Sequence, residues 1–287
     1  MASPLSDPRL AFADIRHSFG PTPTPTPVLD GITFDVPPGR FVAVIGPSGC
    51  GKSTLLQMAT GLLRPTQGQI RRDGTPVAGV PPSGSAPGRA DIGLVPQQAL
   101  LFPWKTLAEN VGLKLELQGI PAAERTRRVE SALHDVGLDG FGHFYPRQLS
   151  GGMQKRGAIA RTLIYRPTLI LMDEPFGALD AQTRMVMQRD LQSLVARTGA
   201  AVLLVTHDIT EAVILADEIV VLSRRPARLL AIHPVDLSRP RDPFEPHNNP
   251  GFTQTYAKIW QSFRNEVEKP SGPGLGERLA ASTSQAG

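Results

Sequence analysis

The sequence predicts an α/β fold: a mostly parallel sheet covered on both faces, a small antiparallel sheet beside it, and a mostly helical insertion. Three observations carry this. Short apolar runs alternate with helical segments, the order that gives parallel strands joined by crossover helices. One such run, Phe41–Ile45, feeds a glycine-rich turn at Gly46–Thr54 that leads into a helical segment containing Leu55, Leu56 and Met58. From roughly 98 to 160 the strand signal gives way to helical periodicity.

The turn reads Gly46-Pro47-Ser48-Gly49-Cys50-Gly51-Lys52-Ser53-Thr54. It matches the phosphate-cradling pattern G-x-x-x-x-G-K-[ST] through Gly46, Gly51, Lys52 and Ser53. Glycines let successive N–H groups turn toward phosphate oxygens, and the helix that follows offers its unpaired amides and positive end. Lys52 is placed to reach the β and γ phosphates, and Ser53 offers a hydroxyl to Mg²⁺.

Composition excludes several classes. The 287 residues suffice for one large domain or two modest ones, and 40% hydrophobic content supports a core. A formal charge of +4, from 30 basic and 26 acidic residues, gives little reason to expect a nucleic-acid partner. Cys50 is the single cysteine, so no internal disulfide can form, which fits a reducing compartment. No apolar run approaches the roughly 18–20 residues that span a bilayer, and the N-terminus does not read as a secretory signal. A soluble, cytosolic chain is expected, with any membrane association supplied by a partner.

Taken in order, residues 1–8 read as a loose leader and Leu10–Phe19 as an edge strand. The tract Pro21–Pro27 reads as an extended surface spacer. Val28–Val36 is a second strand, and Pro37-Pro38-Gly39 a turn. The helix after Lys52 should stop near Gly61, with Pro65 enforcing the break. Gly68–Asp73 and Pro76–Val77 suit short strands, Val80–Arg89 a loop, and Ile92–Val95 a strand. In the helical stretch Thr106–Asp139, Val129, Ala132, Leu133 and Val136 share one face, while Arg125, Arg127, Arg128 and Glu130 lie mainly on the other. Gly137 ends it.

Thr168–Met172 is a buried strand, Met153–Tyr165 and Arg184–Leu194 are helices, and Ala201–Thr206 is a strand closed by His207-Asp208. Ile209–Ala216 is a helix with Glu211 as its acidic capping partner, followed by the strand Ile219–Leu222. Beyond Arg224 the chain is rich in proline and charge. Phe252–Glu268 suits a last helix with Tyr256, Ile259, Trp260 and Phe263 on its apolar side. Lys269–Gly287 reads as a disordered tail.

Further candidate chemistry sits at strand ends. Asp173 and Glu174 close a hydrophobic strand, where a carboxylate meets the metal bound by the phosphate-loop hydroxyl. Asp173 is the natural Mg²⁺ partner, and Glu174 is then free to orient or deprotonate a water. His207 is placed for a γ-phosphate contact, since parallel-strand ends cluster at the ligand crevice. Gln97 and Gln98 follow another strand; spacing alone does not choose which reaches Mg²⁺ or the water. Ser150-Gly151-Gly152 reads either as simple helix capping by Ser150 or as a second anion site. A second site would mean a nucleotide shared between two subunits.

These motifs together, over roughly 10–265, resemble the ATP-binding subunit of ABC transporters. Gly46–Thr54 resembles the Walker A motif, Leu169–Glu174 Walker B, and Leu149–Met153 the family signature, with Met153 where Gln is usual. Gln97 resembles the Q-loop glutamine, Ala178-Leu179-Asp180 the D-loop, and His207 the switch histidine. Phe19 falls where the family places an aromatic over adenine. The resemblance implies a P-loop NTPase (RecA-like) core with an antiparallel β subdomain and a helical, signature-bearing subdomain.

It also implies residues 10–230 as the ATP-binding domain, 231–268 as an extension with one helix, and 269–287 as tail. Two such domains would sandwich two ATP molecules head to tail, as a homodimer or paired ATPase subunits. Lys52, Ser53, Thr54, Gln97, Asp173, Glu174 and His207 would act from one subunit. Ser150, Gly151 and Gly152 would act from the other, with Asp180 across the interface. Mg²⁺ would be held through Ser53, Gln97 and Asp173.

The partners implied are transmembrane permease subunits, sensed near Gln97–Trp104 and the helical insertion, and indirectly a solute-binding protein. The chain would sit on the cytoplasmic face of the membrane. The stretches Leu101–Val111, Tyr145–Arg156, Met172–Arg184, Val205–Asp217 and Val221–Leu229 resemble the nitrate/sulfonate/taurine importer branch. Departures are the Pro-Thr tract after Phe19, Arg40 in place of an acidic residue, and Gln98-Ala99 after the Q-loop glutamine. A soluble ABC ATPase of DNA repair or translation usually carries a long coiled coil or tandem cassettes, and neither is found here. A non-catalytic nucleotide-gated protein is disfavoured by intact Lys52, Glu174 and His207.

Overall fold

A computed structural model describes residues 7–20, 25–77, 92–177 and 179–268. The expectations for residues 21–24 of the Pro-Thr tract, for Val80–Arg89, for Ala178 and for the tail Lys269–Gly287 fall outside them. The elements in order are β1 (Leu10–Phe19), β2 (Thr26–Val36), β3 (Phe41–Ile45), α1 (Lys52–Thr60), β4 (Gln67–Arg72), β5 (Thr75–Pro76) and β6 (Ile92–Val95). The helical insertion holds α2 (Leu107–Leu117), α3 (Ala122–Asp135) and α4 (Gly151–Leu163). Then come β7 (Leu169–Asp173), α5 (Ala181–Thr198), β8 (Ala201–Thr206), α6 (Ile209–Leu215), β9 (Glu218–Leu222), β10 (Leu229–Pro234) and α7 (Phe252–Glu268).

The larger sheet has the order β10-β9-β3-β8-β7-β6 and is parallel except for β10. Its strands are apolar runs because both faces are covered. Val42 and Val44 of β3 join the core shared with α1 and the smaller sheet, while Phe41, Ala43 and Ile45 join the core under α5, α6 and α7. Leu203 and Val205 of β8 divide from Val202 and Leu204 in the same way.

The smaller sheet has the order β2-β1-β4-β5 and is antiparallel. Leu10–Phe19 is therefore not an edge strand. It pairs with β2 on one side and β4 on the other, a long-range pairing that its partial alternation could not disclose.

The helical insertion has its own core of Leu107, Val111, Leu115, Val129, Leu133 and Val136, among others. Burying Val129, Leu133 and Val136 contributes about 1.5–3 kcal/mol each. The ion pairs from Arg127 and Arg128 to Glu124 lie at the surface and add little. Packing, not surface charge, holds α3.

Several expectations are corrected. The helix expected at Arg184–Leu194 runs from Ala181 to Thr198, because the Asp180 side chain caps it by accepting from Thr183 N and Gly199 ends it in the left-handed region. α4 starts at Gly151, not Met153, and ends at Leu163. Asp208 rather than Glu211 caps α6: its carboxylate accepts from the Glu211 backbone N–H, while the Glu211 side chain turns inward. Trp260 is exposed, so the buried face of α7 is carried by Phe252, Ile259 and Phe263.

β10 was not foreseen in the proline-rich stretch, and it spans the boundary expected at 230/231. The same stretch supplies Arg241, which is 2% exposed. Its guanidinium donates to the carbonyls of Val213 (2.7 Å), Ala216 (2.5 Å), Val235 (3.1 Å) and Leu237 (3.0 Å). Its backbone exchanges two hydrogen bonds with the Gln192 side chain of α5. One side chain thus ties the end of α6 to the segment after β10.

Candidate functional site

Parallel neighbours β6, β7, β8 and β3 end on one edge of the larger sheet. The loops that follow them carry Gln97, Asp173–Glu174, His207 and Gly46–Thr54. This is the crevice at the carboxyl ends of strands where open α/β sheets bind ligands.

The loop after β3 opens α1 without a side-chain cap: Gly51 fills the capping position at φ 117°. A Cβ there would lie 2.8 Å from Leu29 Cδ2 and 2.9 Å from Val28 Cγ1, so both conformation and space require glycine. Pro47 accepts from the Cys50 N–H, which keeps the turn tight across Ser48 and Gly49. Cys50 points inward, 1% exposed, and burial pushes its thiol pKa up; it is a packing residue of the loop. Lys52 Nζ donates to the carbonyls of Gly46 (2.8 Å) and Pro47 (3.1 Å). Thr54 lies in the first turn of α1.

Ser53 Oγ donates to Asp173 Oδ1 at 3.1 Å. Burial is the main cause that raises the Asp173 pKa, and the Ser53 hydrogen bond opposes it. Glu174 follows in the left-handed region, φ 43°, where a residue with a Cβ is held only by its surroundings. Its N–H donates to Val205 O, which anchors the turn on β8. Its carboxylate is held twice: Gln97 Nε2 donates to Oε2 at 3.2 Å, and His207 Nδ1 lies 3.1 Å from Oε1. Of the two glutamines left open by spacing, Gln97 makes this contact.

The structure does not bring every expected residue into this cluster. Ser150 caps α4, its Oγ accepting from Met153 N at 3.2 Å. Among the described residues no hydrogen bond or ion pair links Ser150, Gly151 or Gly152 to the loop after β3. Gly152 instead lies against Leu179, to whose Cδ2 an added Cβ would stand 3.3 Å away. Asp180 caps α5. Phe19 ends β1, 43% exposed and edge-on to His17.

Residues 29–177 match the family model described as ABC transporter. The chain belongs to the ABC transporter family. It is 46% identical over 241 residues to an uncharacterized ABC transporter ATP-binding protein of Methanocaldococcus jannaschii, covering 84% of this chain and 86% of that one. It is 45% identical over 233 residues to an aliphatic sulfonates import ATP-binding protein of Pseudomonas aeruginosa, with 81% and 89% covered. A taurine import ATP-binding protein of Burkholderia pseudomallei is 40% identical over 245 residues, with 84% and 91% covered. Among solved structures, a dimeric ATP-binding cassette in a post-hydrolysis state bound to ADP and Pi superposes with a TM-score of 0.70 at 30% identity, covering 79% of this chain and 98% of that one. The RecA-like core, antiparallel sheet and helical subdomain are the architecture of an ABC-type ATPase. Among the described residues no helix is long and apolar enough to cross a membrane.

Three groups around the site of this ABC ATPase have surroundings that only the fold reveals. Asn110 is fully buried; its amide donates to Phe102 O, Lys105 O and Thr106 O and accepts from Phe102 N, so it shapes the loop that exposes Phe102 and Trp104. Lys155 of α4 is buried, and burial pushes its ammonium pKa down to about 8 against the pull of Asp173 and Glu174.

The third is Glu211, which lies behind His207. Thr206 Oγ1 donates to its Oε2 at 3.1 Å, while its Oε1 is buried without a partner among the described residues. Burial, then Asp208, push its carboxyl up to about 8. The unfolded carboxyl loses its proton near 4.5 and the folded one near 8, so the folded state binds more protons between these values. Stability attributable to Glu211 therefore falls as pH rises through that window. Glu211→Gln should remove this slope. Its stability relative to wild type, read by urea unfolding at stepped pH, should rise steadily with pH through the window. Parallel pH curves for the two proteins would show that Glu211 is ionised in the fold.

Proposed function

We propose that the chain is the ATP-hydrolysing subunit that energises import of a small anionic solute, of the nitrate, aliphatic sulfonate or taurine type, through partner permease subunits. The carrying observation is the Glu174 carboxylate held between Gln97 and His207, beside the Ser53–Asp173 pair. That is a carboxylate oriented next to a place for the γ-phosphate, which is what in-line attack by water requires. The class of solute follows the names of the sulfonate and taurine relatives.

Two copies would pair head to tail, an arrangement supported by the likeness to a dimeric cassette bound to ADP and Pi. Gly46–Thr54 and the amides of α1 would cradle the phosphates. Lys52 Nζ would exchange its two carbonyl partners for phosphate oxygens. Ser150, Gly151 and Gly152 of one copy would contact the γ-phosphate held by the other, Asp180 would lie across the interface, and Phe19 would stack on adenine. Glu174 would take the proton of the attacking water, Gln97 and His207 holding its carboxylate in place.

The residues present fit Mg²⁺. Ser53 and Asp173 offer hard oxygen donors side by side, with Gln97 near. A hydroxyl and a carboxylate suit an ion that takes one or two protein oxygens and fills its shell with waters and phosphate oxygens. When bound, it supplies charge neutralisation on the β and γ phosphates.

Residues 10–230 would form the ATP-binding domain, with the helical part at about 98–160, and 231–268 a C-terminal extension. The chain would work at the cytoplasmic membrane face through its permease, with the solute selected by a solute-binding protein and with no nucleic-acid partner. The test is reconstitution of the chain with the permease encoded beside it and the cognate solute-binding protein. Hydrolysis should rise when that protein carries nitrate, taurine or an alkanesulfonate. A rate indifferent to every loaded binding protein counts against transport; stimulation only by an uncharged solute keeps transport and removes the anionic class.

A further inference from the structure

Lys155 follows the Leu149–Met153 stretch by two residues and is 2% exposed. A buried ammonium is costly unless its donors are engaged. Here Nζ donates to Pro96 O and Gln97 O, each at 2.6 Å. Among the described residues it makes no ion pair; Asp173 and Glu174 act on it only across space. The same helix grips the chain on either side of this point. Tyr165, just past α4, donates to Ile92 O at 3.1 Å, Thr162 to Leu94 O at 3.1 Å, and Arg161 to Leu100 O at 2.8 Å. Packing does not explain a buried ammonium on the carbonyls of Pro96 and Gln97, the stretch that carries the Gln97 side chain.

We propose that Lys155 is a positioning residue for hydrolysis, clamping the backbone at 96–97 so that the Gln97 side chain meets Glu174, and tying that setting to the helix that Ser150 begins. A displacement of the Ser150 end of α4 is then passed along a rigid helix to Gln97, which makes the composite site and the carboxylate cluster of the same chain mechanically dependent. This rests on the roles proposed above for Gln97 and Ser150.

Lys155→Met keeps length and apolar stem but removes the donors; Lys155→Arg restores them. In the full chain, Lys155→Met should lower kcat roughly tenfold or more, the cost of a misplaced catalytic contact, with the KM for ATP within about twofold, a split that marks loss of transition-state positioning rather than of binding. Lys155→Arg should recover most of the rate. Without nucleotide, backbone hydrogen exchange in the 94–100 segment should rise in Lys155→Met and not in Lys155→Arg. Wild-type kcat in the Met variant, or unchanged exchange at 94–100, overturns the clamp. Faster exchange throughout α4 with no recovery by Arg reduces Lys155 to a structural role and also overturns it. If the Met variant does not fold, Lys155→Leu, which also lacks donors, carries the same measurements. If wild type hydrolyses no ATP, the functional reading fails, and the exchange comparison still decides whether Lys155 holds 96–97.

Discussion

Glu174→Gln is expected to bind ATP with near-wild-type affinity while hydrolysis falls about 10²–10⁴-fold, the range for removal of a positioned general base. The amide is nearly the same size and keeps an oxygen to accept from Gln97 or His207, so the turn on Val205 O and the φ of 43° need not change. What is lost is the negative charge that draws the proton from water. A site that binds ATP and cannot consume it should accumulate the closed pair. Size exclusion with saturating MgATP should therefore shift the variant, and not wild type, toward dimer. Hydrolysis undiminished in this variant would falsify the role given to Glu174.

The second large effect tests whether the site is shared. Lys52→Ala should abolish hydrolysis through the phosphate loop, and a bulky Ser150→Arg through the signature. In a mixed dimer, the Ser150 variant supplies an intact loop and the Lys52 variant an intact signature to the same composite site. The other site carries both defects. Random mixing makes about half the dimers mixed, each with one good site, so about a quarter of wild-type sites should return if a single site suffices for turnover. Each variant alone stays inactive. No recovery, under conditions where mixed dimers are shown to form, means that both defects fall in one subunit's own site.

The sequence disclosed those parts of the fold whose cause is local. Phe41–Ile45 and Ala201–Thr206 were readable as buried strands because a parallel strand covered on both faces is simply an apolar run. The loop Gly46–Thr54 was readable because phosphate binding needs glycines at fixed spacing. Phe252–Glu268 was readable from its period. What depends on distant partners was hidden. β1 looked like an edge because nothing in its residues names β4. β10 lay inside a proline-rich stretch and exists because β9 offers it an edge.

The candidate site divides in the same way. Asp173, Glu174 and His207 sit at strand ends, which periodicity reveals. Lys155 looks like any surface lysine on a helix, and only the passage of β6 and Pro96-Gln97 beside α4 buries it. Glu211 was assigned to capping because acids near helix starts often are; that Asp208 had already taken the position could be seen only in space.

Arg241 has a consequence for how relatives should be compared. It grips the last carbonyls of α6, the helix that leaves directly from His207. A stretch outside the Gln97–Glu174–His207 cluster therefore sets the footing of one of its members. Two chains identical in every nucleotide-facing motif need not turn over at the same speed if they differ between residues 235 and 241.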